Sequence, residues 1–290
     1  YLSQMMLAVG FLSRNLPSKR VFTYHMTEEH LTQLWFTRPM RTPFKRIITY
    51  FANSMDVIIS PSKNLLTTIS NKGINRKTIA ITNPLALDFF QKDTDFMNQS
   101  LNEKFKDKFV VFYAGRLNPE KNVPLLIKAL AELVRENRDV KLFIAGKGDQ
   151  EKLLKNLVNE LNLQNNVEFL GFLSQQELSS YYLLCNVFVL PSVHETQGMV
   201  AMEAMRFKKP IVVTKEISSA EELVDQNQNG FIVDAFNHHE LKEKLSLLMH
   251  SEKMQKEMGE KGFQKTNAYN PIIVTQELMN VYANLDARLK

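Results

Sequence analysis

The sequence predicts an α/β protein in which parallel sheets carry helices on both faces. Two observations lead there. Short β-branched runs alternate with longer amphipathic ones along the chain, which is the rhythm of repeated strand–helix units. Most of the short runs are apolar throughout rather than at every second residue, as strands buried on both faces read.

The candidate strands, in order, are Val21–Tyr24, Asp56–Ser60, Thr78–Thr82, Phe109–Ala114, Val140–Ala145, Val167–Leu170, Val187–Leu190, Ile211–Thr214 and Phe231–Val233. Helical spacing is clearest from Asn122 to Arg135, where Val123, Leu126, Ile127, Leu130, Leu133 and Val134 share one face. The polar stretch from Phe89 to Lys108 interrupts the rhythm and reads as an inter-domain linker with room for a short helix. The expected organisation is a first domain over 1–88, a linker over 89–108, a second domain over 109–271, and a C-terminal helix over 272–290, after Pro271, that is free to cross back.

The 290 residues are 44% hydrophobic and 23% charged, ordinary values for a globular protein that buries its own core. The single cysteine, Cys185, excludes an internal disulfide and suits a reducing compartment such as the cytoplasm. No apolar run approaches the roughly 18 residues of a membrane span. Met5 to Leu12 is short and has its basic residue, Arg14, after it rather than before, so it reads as a buried helix face and not a signal peptide. The chain begins at Tyr1 rather than Met, which suggests a piece of a longer protein.

The net charge of +5 is uneven. Residues 1–55 hold seven basic groups (Arg14, Lys19, Arg20, Arg38, Arg41, Lys45, Arg46) against Glu28 and Glu29, and the remainder carries 29 of each sign. A basic segment beside Trp35, Phe36 and Phe44 fits either an anionic membrane surface or a solvated or phosphate-facing wall. No nucleic-acid motif accompanies the charge, so nucleic acid is not an expected partner.

Three segments carry chemistry. Gly115-Arg116-Leu117-Asn118-Pro119-Glu120-Lys121-Asn122 joins a strand to a helix. Ligands of open α/β sheets bind at that edge, and two cations there suit a diphosphate. Gly146-Lys147-Gly148 follows the next strand, but a lone G-x-G often marks only a tight turn. After Val187–Leu190 comes Pro191-Ser192-Val193-His194-Glu195-Thr196-Gln197-Gly198-Met199-Val200-Ala201-Met202-Glu203. Here two glutamates flank a helix start whose N–H groups face an anion. A carboxylate on each side of a phosphate-binding helix end fits a sugar nucleotide.

These residues resemble the retaining family-four glycosyltransferases of the two-domain GT-B fold. Met55 to Ser62, Ile81-Thr82-Asn83-Pro84, Gly115 to Asn122, Val167 to Gly171 and the E-x7-E pair Glu195/Glu203 follow the family's order. The resemblance implies two Rossmann-like doubly wound domains, the first only partly present, since the family's opening strand and Gly-rich loop have no counterpart after Tyr1. It implies that Arg116 and Lys121 hold the donor diphosphate. It gives Glu195 the sugar hydroxyls, Gly198, Met199 and Val200 their backbone N–H groups to sugar and phosphate, and Glu203 the ribose. His25 matches a histidine near the reacting carbon, and His30 reads as a surface residue. The donor is a UDP-sugar, with no cofactor and no metal. Asp93-Thr94-Asp95 mimics a metal-binding triplet but sits in the polar linker. Lys209 replaces the family's Gly before Pro210, and Gln197 replaces an aromatic or aliphatic residue. Glu-Thr-Gln-Gly is similar to members that glycosylate diacylglycerol, which turns the expected acceptor toward a membrane lipid and the expected location toward the inner face of the plasma membrane. A surface-polysaccharide transferase and a non-catalytic sugar-nucleotide-binding partner subunit are the alternatives.

Overall fold

The computed structural model describes residues 18–25, 38–85 and 101–286. The expectations for Met5–Leu12, His30, Trp35, Phe36 and Asp93–Asp95 lie outside these residues. The strands are β1 (Val21–Thr23), β2 (Val57–Ser60), β3 (Lys77–Ala80), β4 (Phe109–Ala114), β5 (Val140–Ala145), β6 (Val167–Gly171), β7 (Val187–Leu190), β8 (Ile211–Thr214) and β9 (Gly230–Val233). Each lies within two residues of its sequence-predicted bounds.

The helices are α1 (Arg38–Asn53), α2 (Lys63–Asn71), α3 (Val123–Glu136), α4 (Glu151–Glu160), α5 (Gln175–Leu184), α6 (Met199–Arg206), α7 (Ala220–Leu223), α8 (His238–Met249), α9 (Glu252–Lys265) and α10 (Pro271–Asp286). Short 3-10 turns cover Pro119–Lys121 and Thr266–Tyr269. Local chemistry sets several boundaries. Ser62 caps α2 by accepting from the Leu65 N–H, and Ser174 and Glu177 form a reciprocal capping box on α5.

The chain divides into two compact units, residues 1–84 with 272–290, and residues 85–271. In the first, β1, β2 and β3 form a parallel sheet in that order. Side chains alternate along β2. Ile58 packs with Tyr24, Ile48, Phe51, Leu65 and Ile69 on one face. Val57 and Ile59 pack with Val274, Val281 and Leu285 of α10 on the other. Among the described residues, the final helix therefore covers one face of this sheet.

The second unit is a six-stranded parallel sheet of order β6-β5-β4-β7-β8-β9. Counted from β4 as the first strand, this is the 3-2-1-4-5-6 order of dinucleotide-binding folds. Its core includes Phe109 to Ala114 of β4 and reaches Leu245 and Leu248 of α8. The expected boundary at 88/109 is corrected. Residues 101–105 are helical, Phe105 is buried in this core and meets Phe143 edge-on at 5.0 Å, and Leu85 N–H donates to the Tyr269 carbonyl at 2.8 Å. Surrounding charges disguised one core aromatic as linker.

Candidate functional site

The β4–β7 pair is where the sheet order reverses. From it, β5 and β6 run outward on one side and β8 and β9 on the other. Loops leaving the carboxyl ends of β4 and β7 diverge at such a point and open a crevice.

The β4 loop is held from below. Tyr113 is fully buried and its hydroxyl donates to the Arg116 carbonyl at 2.8 Å. Burial, then the charges of Glu195 and Glu120, push that hydroxyl far above its ordinary range, so it stays a donor. Backbone bonds from Gly115 N–H to Ala145 and from Leu117 N–H to Lys147, both at 3.0 Å, lay the β4 loop against the β5 loop. The Gly146-Lys147-Gly148 turn makes this contact feasible. Gly146 has φ +130°, and a Cβ there would lie 1.8 Å from the Gly115 carbonyl oxygen. A Cβ on Gly148 would lie 2.5 Å from the Leu117 backbone. The glycine pair is a packing device rather than a phosphate loop of its own.

The β7 loop meets the β4 loop directly. Val193 N–H donates to the Glu120 carbonyl at 2.9 Å. Lys121 Nζ forms a short ion pair with Glu195 Oε2 across 74 positions of sequence. Both groups are largely sheltered, at 12% and 24% side-chain exposure, so the pair is less screened than one in open water. Arg116 is more exposed and lies 3.4 Å from Glu120 Oε1. Glu195 is anchored from the far side, where its carbonyl accepts from Ser218 N–H at 2.9 Å. Ser192, next to these groups in sequence, is fully buried, and its Oγ finds no hydrogen-bond partner among the described residues.

Gly198 starts α6 in the left-handed region, at φ 68° and ψ 53°. A Cβ there would stand 2.9 Å from Leu190 Cδ2, so the position favours glycine on conformation and on space. The N–H groups of Met199 and Val200 fall in the helix's first turn, where backbone donors lack partners within the helix. Glu203 points elsewhere. Its Oε2 accepts from the Tyr182 hydroxyl at 2.8 Å, and that hydroxyl also lies 3.1 Å from the Val200 carbonyl. Burial raises the Glu203 carboxyl above its ordinary value, and the Tyr182 bond opposes the rise.

The structure thus gathers Arg116, Lys121 and Glu195 into one cluster, with Gly198, Met199 and Val200 a few residues beyond Glu195. Glu203 is held by Tyr182. His25 is exposed, immediately past β1 and the buried Tyr24 at the carboxyl edge of the first unit's sheet. Tyr182 is the residue that sequence reasoning missed. In Tyr181-Tyr182 on a helix it reads as core, and the only available signal is that a buried tyrosine needs a partner for its hydroxyl.

A family model described as glycosyl transferases group 1 matches residues 95–265, more than half of the chain. The chain belongs to this family. Among its relatives is the alpha-D-kanosaminyltransferase of Streptomyces kanamyceticus, 31% identical over 61% of this chain and 46% of that protein. Another is the Campylobacter jejuni N-acetylgalactosamine-N,N'-diacetylbacillosaminyl-diphospho-undecaprenol 4-alpha-N-acetylgalactosaminyltransferase, 28% identical over 83% and 65%. The group 1 chain spans about half the length of the curated relatives it matches. Anabaena Alr3699/HepE, solved in complex with UDP, superposes with a TM-score of 0.85 at 21% identity, covering 97% of this chain and 77% of that one. The architecture is the α/β GT-B type. No helix among the described residues is long and apolar enough to cross a membrane.

Proposed function

We propose that this chain carries the sugar-nucleotide site of a retaining glycosyltransferase that moves a hexose from a UDP-sugar to a membrane lipid such as diacylglycerol. One observation carries the reading: the Lys121–Glu195 pair, which joins the two crevice loops. An ammonium has three donors, so Lys121 can keep one on Glu195 and turn the others to a diphosphate. The same carboxylate keeps its second oxygen for sugar hydroxyls. Arg116 and the N–H groups of Met199 and Val200, released by Gly198, add positive charge for the β-phosphate. Glu203, fixed by Tyr182 through one oxygen, offers the other to the ribose.

In the reaction, the bond from the anomeric carbon to the diphosphate oxygen breaks and a bond to the acceptor oxygen forms on the same face. The acceptor proton passes to the departing diphosphate. Arg116, Lys121 and the α6 amino terminus stabilise the charge that develops on the leaving group. Because these groups supply that charge, the chemistry needs no metal, and a chelator leaves the initial rate unchanged. The UDP in the HepE complex is compatible with this donor.

The basic excess in residues 1–55 supports a lipid acceptor at an anionic surface. A second reading, a lipid-linked growing glycan for a surface polysaccharide, is favoured by the diphospho-undecaprenol in the Campylobacter relative's name. Transfer from radiolabelled UDP-hexose to diacylglycerol vesicles, compared with transfer to a polyprenyl-diphosphate saccharide, separates the two. Label in neither acceptor, with no hydrolysis of the UDP-sugar, leaves only a non-catalytic binding subunit.

A further inference from the structure

Outside the crevice, α3 and α8 pack against each other along a ladder of paired side chains. At one rung Glu136 meets Lys242 in a short ion pair. One turn earlier on both helices, Glu132 meets two imidazoles instead. His238 Nε2 stands 3.2 Å from Glu132 Oε1, and His239 Nδ1 stands 2.9 Å from Oε2. The two rings lie nearly face to face, with centroids 4.2 Å apart at 32°. One atom from each of the three side chains falls within 4.8 Å of the others.

We propose that Glu132, His238 and His239 form a binding site for a zinc-class divalent cation that staples α3 to α8. Two imidazole nitrogens and a carboxylate oxygen are the ligand set of zinc, nickel or copper, whereas magnesium and calcium want oxygen alone. Three protein ligands leave a fourth position for water. The His239 side chain is 68% exposed, so that position opens to solvent. His238 and His239 are the first two residues of α8, and zinc–imidazole bonds of roughly 2.0–2.1 Å would require both rings to turn toward a shared point. Without the cation, His239 Nδ1 is hydrogen-bonded to Glu132 Oε2, and His238 Nε2 stands beside Oε1. Asn122, the residue before α3, donates to the Ala235 carbonyl at 2.8 Å, so the staple near the carboxyl end of α3 would add to a link already made at its amino end. None of these residues belongs to the group assigned to the donor.

Titration calorimetry of zinc chloride into the metal-free full chain tests this, together with thermal unfolding with and without zinc. One zinc per chain and a raised Tm are expected, with no response to magnesium. His239→Ala changes an exposed side chain, and Glu132→Gln keeps the shape; both should abolish the zinc response. Lys242→Ala breaks only the next rung and should keep it. No saturable binding by the parent chain, or an equal response in His239→Ala and Glu132→Gln, would overturn the site. Neither readout uses transfer activity, so this result stands apart from the proposed reaction.

Discussion

Lys121 and Glu195 hold each other in the structure, so each single substitution leaves a sheltered charge without its partner. Lys121→Ala is expected to lower kcat/KM for the UDP-sugar by on the order of a hundredfold, the usual cost of losing one stabiliser of developing charge. Steady-state kinetics with a water-soluble acceptor would show it, and unchanged kinetics would remove Lys121 from the site. Tyr182→Phe takes the hydroxyl from Glu203 Oε2. Hydrogen bonds to charged groups contribute about 1.5–3 kcal/mol, so thermal unfolding should register a loss of that size. KM for the UDP-sugar should rise more than kcat falls, because the carboxylate is misplaced rather than removed. Glu203 itself gives a pH signature. Burial raises its carboxyl in the folded state, so the folded chain holds the proton more tightly than the unfolded chain. Wild-type stability therefore falls as pH climbs from the ordinary value of 4.5 through the folded value, then stays at that lower level. Glu203→Gln does not titrate. It should match the parent in acid, unfold at higher temperature near neutrality, and bind donor worse.

At the scale of elements, the β4 and β5 loops touch backbone to backbone, and Gly146 is the hinge of that contact. Gly146→Ala would set a Cβ 1.8 Å from a carbonyl oxygen. The backbone must move, at a cost on the order of 3 kcal/mol or more, measurable as a depressed Tm or loss of soluble chain. How far the sequence discloses these elements depends on their chemistry. The central strands among the described residues are legible because both faces are buried, so runs such as Phe109–Ala114 are apolar without a break. Arg116, Lys121 and Glu195 are legible as loop residues beyond strand ends. Their mutual pairing is not, because it spans 74 positions and no local pattern encodes it. Tyr182 is illegible for another reason: its ring packs as core, against Phe112 at 5.3 Å and Phe207 at 5.3 Å, while only its hydroxyl reaches the site. Phe105 fails in the opposite direction, as one aromatic hidden among charges.

For the whole molecule, the chain leaves the first unit at Pro84 and returns to it at Ile272. Val281, 9% exposed, sits in the cluster with Val57 and Ile59. Val281→Asp buries a charge there and should cost the first unit about 3 kcal/mol. Calorimetry should show a transition for that unit moving down while the transition of residues 85–271 holds. Equal shifts of both would contradict the division. The same covering helix has a consequence for synthesis on the ribosome. Domains usually mature as they emerge, amino-terminal part first. Here the order is reversed. Residues 85–271 hold all six strands of their sheet and can close as soon as they appear, while β1, β2 and β3 wait with Val57, Ile59 and Ile81 uncovered until α10 arrives. One face of the nascent first unit's sheet thus lacks its α10 cover until residues 272–286 emerge, which makes that face a natural client for a chaperone.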